Sequence, residues 1–149
     1  MEIKVMKIPL QEKEKVVVEC HEMTSQVQTI VKFVKSIQET ITGVYDDREY
    51  EISIQDIFYV ESVDNKTFIY TKDKVYSVRE RLYEIEDLLS ELSFLRISKS
   101  VVVNLLKIKS IKPALNGRFG AILTNGEEVI ISRKYVPALK EKVRGGKKK

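Results

Sequence analysis

From residue 44 onward, short runs of β-branched and aromatic residues are cut repeatedly by turn signals, which leaves room for little but antiparallel strands. GVYDDREYEI reads as a hairpin with Asp46-Asp47 in its turn. IFYVESVDN follows, then TFIYTKDKVYSV, with a second tight turn at Lys72-Asp73-Lys74. Tyr45, Tyr50, Phe58, Tyr59, Phe68, Tyr70 and Tyr76 supply the ring bulk that favours a pleated surface. Beyond residue 93 the strand pattern returns as RIS-KS-VVVNL and IKSIKP. A last hairpin, RFGAILTNGEEVIIS, closes at Asn125-Gly126. The expected class is mainly β, with an α+β character supplied by a few short helices.

The helical periodicity is confined to three places. Val27, Ile30, Val31, Val34, Ile37 and Ile41 recur at three- and four-residue steps, widened by Phe33, with Thr24 or Ser25 as N-cap and Gly43 as a stop. Two β-like runs, IKVMKI and KVVVECHE, precede this helix, so residues 1–43 are expected to form a small β-β-α segment. Such a unit is too small to be comfortable alone and should pack on the rest or on a partner chain. Ser77-Val78-Arg79-Glu80 has the spacing of a capping box, opening a helix with Leu82, Ile85, Leu88, Leu89 and Leu92 on one face. A short helix is expected from about Arg133 through Lys142. The basic tail, residues 144–149, is expected to be disordered.

Charge is unevenly shared along the chain. Residues 1–93 hold 12 Lys/Arg and 19 Asp/Glu, whereas residues 94–149 hold 14 and 3. Separation of this kind points to a polyanion meeting the C-terminal third, unless the strands fold back and the halves neutralise one another. Catalytic chemistry has little to work with. One His and one Cys occur, side by side as Cys20-His21, and adjacent side chains of a strand face opposite ways. No phosphate-cradling glycine motif and no set of spaced metal ligands is present, so an enzyme, a metal and a cofactor are not expected. No apolar run approaches the ~18 residues of a membrane span, and the opening residues lack the order of a signal peptide, so a cytoplasmic location is expected.

Polar and basic residues gather instead at three joints between strands. The first is Asp64-Asn65-Lys66-Thr67, the second Arg96-Ile97-Ser98-Lys99-Ser100, and the third Ser132-Arg133-Lys134-Tyr135. Lys and Arg neutralise phosphates and donate to guanine O6 and N7, while Ser, Thr and Asn bond phosphates or base edges. A helix N-terminus beside Ser132 adds to the attraction for phosphate.

From about Val44 to Val143 the sequence resembles a LytTR DNA-binding domain, the output module of LytR- and AgrA-type bacterial regulators. The resemblance is carried by IFYVESVDNKTFIYTKDKVYSVRERLYEIEDLL, FLRISKSVVVNLLKIKSI and NGEEVIISRKYVPALKEKV. It implies an elongated stack of small antiparallel β-sheets with short helices, whose loops enter successive major grooves of double-stranded DNA. By position, base contact would fall to Lys66, with Asn65 as the alternative, to Lys99, and to Lys134, with Arg133 as the alternative. Ser98, Ser100 and Ser132 would serve phosphates. Arg96 opens the motif, either contacting DNA or holding its loop.

Many members of that family carry the domain behind a receiver. Here only the expected β-β-α segment precedes it, so the resemblance supplies an output and leaves the input open. A homodimer through this segment, reading promoter half-sites, is one expectation. A regulatory membrane-protein partner is another. The reading from a different class is a protein-interaction module whose basic face meets an acidic protein surface.

Overall fold

The computed structural model describes the backbone of residues 1–147 and the side chains of residues 1–142. Its ten strands are β1 (Thr40–Tyr45), β2 (Arg48–Ser53), β3 (Tyr59–Val63), β4 (Lys66–Tyr70), β5 (Val75–Val78), β6 (Phe94–Arg96), β7 (Val101–Asn104), β8 (Ile108–Pro113), β9 (Phe119–Leu123) and β10 (Glu128–Ile131). The helices are α1 (Ser25–Gln38), α2 (Leu82–Leu88) and α3 (Val136–Lys147). The expected mainly β class holds. A seven-stranded sheet runs in the order β2-β1-β5-β4-β3-β7-β6, and a three-stranded sheet in the order β10-β9-β8, with every pairing antiparallel.

Turn chemistry sets the registers. Tyr45 faces Arg48 across the β1–β2 hairpin, and Val63 faces Lys66 across the β3–β4 hairpin. The residues between them, Asp46 and Asp47, then Asp64 and Asn65, all lie at φ between 51° and 65°. Two successive left-handed residues make the type I′ turn whose twist suits a two-residue hairpin. At the β9–β10 corner Gly126, at φ 92°, donates to the Leu123 carbonyl, and the Leu123 N–H returns to Glu127.

The period of two divides the apolar residues between two cores. Val60 of β3 and Val102 of β7 join Ile41, Ile52, Ile57, Ile69 and Phe94 on one face of the large sheet, beneath Leu82, Ile85, Leu89 and Leu92. Their neighbours Tyr59 and Val103 point the other way. They meet Ile97, Ala121, Leu123, Ile131, Val136 and Leu139 in a second core, roofed by the small sheet and α3. Fully burying one such Ile or Leu contributes about 1.5–3 kcal/mol. The central strands are therefore stabilised from both faces.

Several expectations are corrected. Residues 1–22 contain no strand; both β-like runs lie outside any regular element, with Ile3 and Val5 each 89% exposed and Val16 64% exposed. A strand needs a neighbour for its backbone groups, and none is offered within the described chain. Cys20 accordingly lies exposed. The first helix ends at Gln38, because Thr40 to Tyr45 are drawn into β1 beside β2. Gly43 is thus a buried strand residue and not a helix stop: a Cβ there would lie 2.6 Å from Ile52 Cδ1 and 2.9 Å from Tyr76 Cβ.

Ser77 and Val78 belong to β5, paired with Phe68 and Thr67, so the helix opens later than the sequence suggested. Its cap is the Glu84 carboxylate, which accepts from the Arg81 N–H at 2.8 Å. A 3-10 turn at Arg133–Tyr135 leads into α3, which runs on to Lys147 through part of the stretch expected to be a free tail. Residues 148 and 149 of that tail lie outside the described residues.

Candidate nucleic-acid interface

Each basic cluster occupies a joint that the sheets hold in place. Lys66 is the first residue of β4, exposed at the tip of the β3–β4 hairpin, with Asn65 in the turn behind it. Thr67 is buried one residue further on, which anchors the tip. The second cluster spans the β6–β7 connection. The Ile97 N–H bonds the Val101 carbonyl at 2.9 Å, so the chain reverses tightly around Ser98, Lys99 and Ser100. Ile97 is fully buried in the second core, and Lys99 is exposed at the apex.

Two backbone hydrogen bonds draw the three clusters together. The Ser62 N–H donates to the Ser100 carbonyl at 2.8 Å, tying the first hairpin to the second loop. The Ser132 N–H donates to the Ile97 carbonyl, also at 2.8 Å, tying the third cluster to the same loop. Lys66, Lys99 and Lys134 are far apart in sequence, yet these two bonds link the segments that carry them. All three side chains are exposed.

Arg96 is committed elsewhere. Its Nη1 donates to the Lys99 carbonyl at 2.6 Å and to the Ser98 carbonyl at 3.4 Å. Its Nε and Nη2 reach Glu86 Oε1 at 3.2 Å and 3.0 Å. The guanidinium fork therefore fastens the loop apex to α2. These bonds are those a loop-holding role requires. Ser98 also works within the loop: its Oγ accepts from the Ser100 N–H at 3.2 Å, a local turn bond that keeps the hydroxyl proton free to donate outward. Ser132 makes no side-chain cap on the turn that follows it.

Two further residues that the sequence did not single out are structural. Asn104, 2% exposed, donates from Nδ2 to the Ile57 carbonyl and accepts at Oδ1 from the Leu106 N–H, stitching the end of β7 to the connection that leads into β3. Gly117, at φ 76°, lies under Arg133: a Cβ there would stand 2.8 Å from Arg133 Cδ. The turn at Gly117 thus packs against the third cluster, and exposed Arg118 follows it. The Asn116-Gly117 pair was the available signal, since Asn and Gly tolerate left-handed backbone.

Behind the loops, Tyr59 and Tyr70 stack with ring centroids 4.3 Å apart and donate to Glu127 and Glu61 respectively. Burial first, and then these carboxylates, push both phenols above the ordinary tyrosine range, so they stay protonated as donors.

The LytTr DNA-binding domain family matches residues 47–144. The sensory transduction protein LytT of Enterococcus faecalis is 35% identical over 98 residues, covering 66% of this chain and 40% of that protein. LytT of Bacillus subtilis is 33% identical over 90 residues, covering 60% and 37%. The chain thus spans well under half the length of these relatives. An uncharacterized HTH-type transcriptional regulator of Staphylococcus aureus is 28% identical over 123 residues, covering 81% of this chain and 83% of its own.

Among solved structures, a LytTr DNA-binding domain from Bacillus cereus superposes with a TM-score of 0.67 at 28% identity, over 70% of this chain and 96% of that one. No two successive elements of the described residues are α-helices, so a helix-turn-helix is not how this surface is built. Family match and fold agree: this chain belongs to the LytTR family of DNA-binding domains.

Proposed function

We propose that the chain is a cytoplasmic, sequence-specific transcriptional regulator that reads double-stranded DNA with three loops on one face. Lys66, Lys99 and Lys134 enter successive major grooves as base readers, with Asn65 and Arg133 beside them. Ser98, Ser100 and Ser132 donate to the flanking phosphates. Arg96 serves as a positioning residue for Lys99. The observation that carries this reading is the pair of backbone bonds, Ser62 to Ser100 and Ser132 to Ile97, which support the three loops as one rigid reading edge. Fixed spacing matters because readout needs side chains presented at the repeat of the duplex, while phosphate contacts set the register.

The regulator acts as a homodimer on two half-sites, whose centres lie ~10 bp or a multiple apart along the helix. Selection of bound duplexes from a random pool tests this. Wild-type protein should enrich a repeated motif at that spacing. A variant with Lys66, Lys99 and Lys134 all changed to Ala should enrich none. Equal enrichment by both would remove these lysines from the interface, and retention of an acidic protein in place of DNA would favour the protein-interaction reading.

A further inference from the structure

Residues 1–23 carry the pattern of half-buried strands with nothing to bury them. Ile3 and Val5 alternate with Glu2 and Lys4, and Val16 and Val18 alternate with Lys15, Val17 and Glu19. One face of each run is therefore apolar. Ile3 and Val5 are nevertheless 89% exposed, and only Val18 of the four is half-buried. The backbone is equally open. Among the described residues, the bonds made within this stretch are the Glu12 N–H to the Pro9 carbonyl and the Thr24 N–H to the Glu22 carbonyl. An unpaired apolar strand edge is a template for another strand.

We propose that this arm is completed by a second copy of the chain, each copy contributing both runs to one four-stranded intermolecular sheet. A hairpin within one chain would satisfy some backbone groups, but a two-stranded ribbon is marginal in water and its apolar face would stay wet. Two copies supply four strands and a second face. The runs are complementary in charge: residues 2–8 carry two Lys and one Glu, whereas residues 13–22 carry two Lys and three Glu. Each arm leads through the Thr24 cap into α1, where Phe33 and Ile37, 46% and 44% exposed, form a stripe one turn apart. The sheet closes over that stripe. Arm plus stripe engage about the 20–30 residues a side of a stable interface. Exchange of identical arms about a two-fold axis is also closed, so it stops at the dimer.

This inference rests on the homodimer reading above and is tested without DNA, so it fails separately from the DNA contacts. Sedimentation of the full chain should show a species of twice the chain mass at micromolar concentration. The double variant Ile3→Glu, Val16→Glu should weaken self-association at least about tenfold. Leu10→Glu should not, because Leu10 lies in the turn between the runs. Amides of residues 3–8 and 15–19 should be protected from hydrogen exchange in the wild type, increasingly so with concentration. A wild type that is monomeric throughout, a double variant as dimeric as wild type, equal loss with Leu10→Glu, or arm protection independent of concentration would each overturn the proposal.

Discussion

Arg96 donates through Nη1 to the backbone carbonyl of Lys99 at 2.6 Å, so the residue proposed to read a base has its backbone held by a neighbouring side chain. With Nε and Nη2 on Glu86, the guanidinium links the loop apex to α2 by both edges of its fork.

Arg96→Ala should therefore lower DNA affinity through loop disorder and cost about 1.5–3 kcal/mol of stability, the range for hydrogen bonds to a charged group. Arg96→Lys should recover little of either, since an ammonium cannot span the carbonyls and the carboxylate together. Salt titration separates the roles. A holding Arg96 leaves the slope of log K against log salt unchanged, whereas a phosphate contact would reduce it by about 0.9.

Asn104→Ala should destabilise the fold by about 1–3 kcal/mol, because the Ile57 carbonyl and the Leu106 N–H lose the partner that satisfies them. Thermal unfolding should show a fall of roughly 2–4 °C per kcal/mol for a chain of this size. An unchanged midpoint would mean that water replaces the amide.

Gly43→Ala should cost about 1–3 kcal/mol, since the methyl would press on Ile52 and on the Cβ of Tyr76 where β1 meets β5. The base preference of the protein should survive this change, because Gly43 lies among the strands and outside the three loops. A shifted base preference measured by selection would contradict that separation.

The raised Tyr59 phenol links stability to alkaline pH. Its folded form holds the proton more tightly than the unfolded chain, whose tyrosines titrate near 10. The stabilisation is thus fully present below about pH 10 and is lost as pH rises further. Tyr59→Phe should be less stable than wild type at neutral pH, and the gap should narrow above pH ~10. A gap constant with pH would contradict the upward shift of the Tyr59 phenol on folding.

Much of the fold is legible in local chemistry. Asp46-Asp47 and Asn125-Gly126 announce their hairpins because left-handed backbone favours those residues, and the register follows from the turn. The three basic joints were also visible, as polar breaks between strand-like runs. What escaped depends on distant partners. Ser77 and Val78 have the spacing of a cap, but β4 offers them a ladder, and the strand prevails over the local helix signal. Gly43 looks like a stop until β5 arrives against it. The runs at 2–8 and 13–19 are strand-like by composition, and no ladder within the described chain takes them up. Arg96 shows the same limit in the site: its motif position is plain, but its bonding depends on Glu86, ten residues away on α2.

The most direct measurement is equilibrium binding of wild type and the single variants Lys66→Ala, Lys99→Ala and Lys134→Ala to one selected duplex and to its single-base substitutions. The account predicts that each variant loses about 1–3 kcal/mol on the selected duplex and becomes indifferent to base identity at one position, different for each lysine. Uniform weakening on every duplex, with preferences intact, would show that the three lysines neutralise phosphate alone and would contradict the assignment of base reading to these loops.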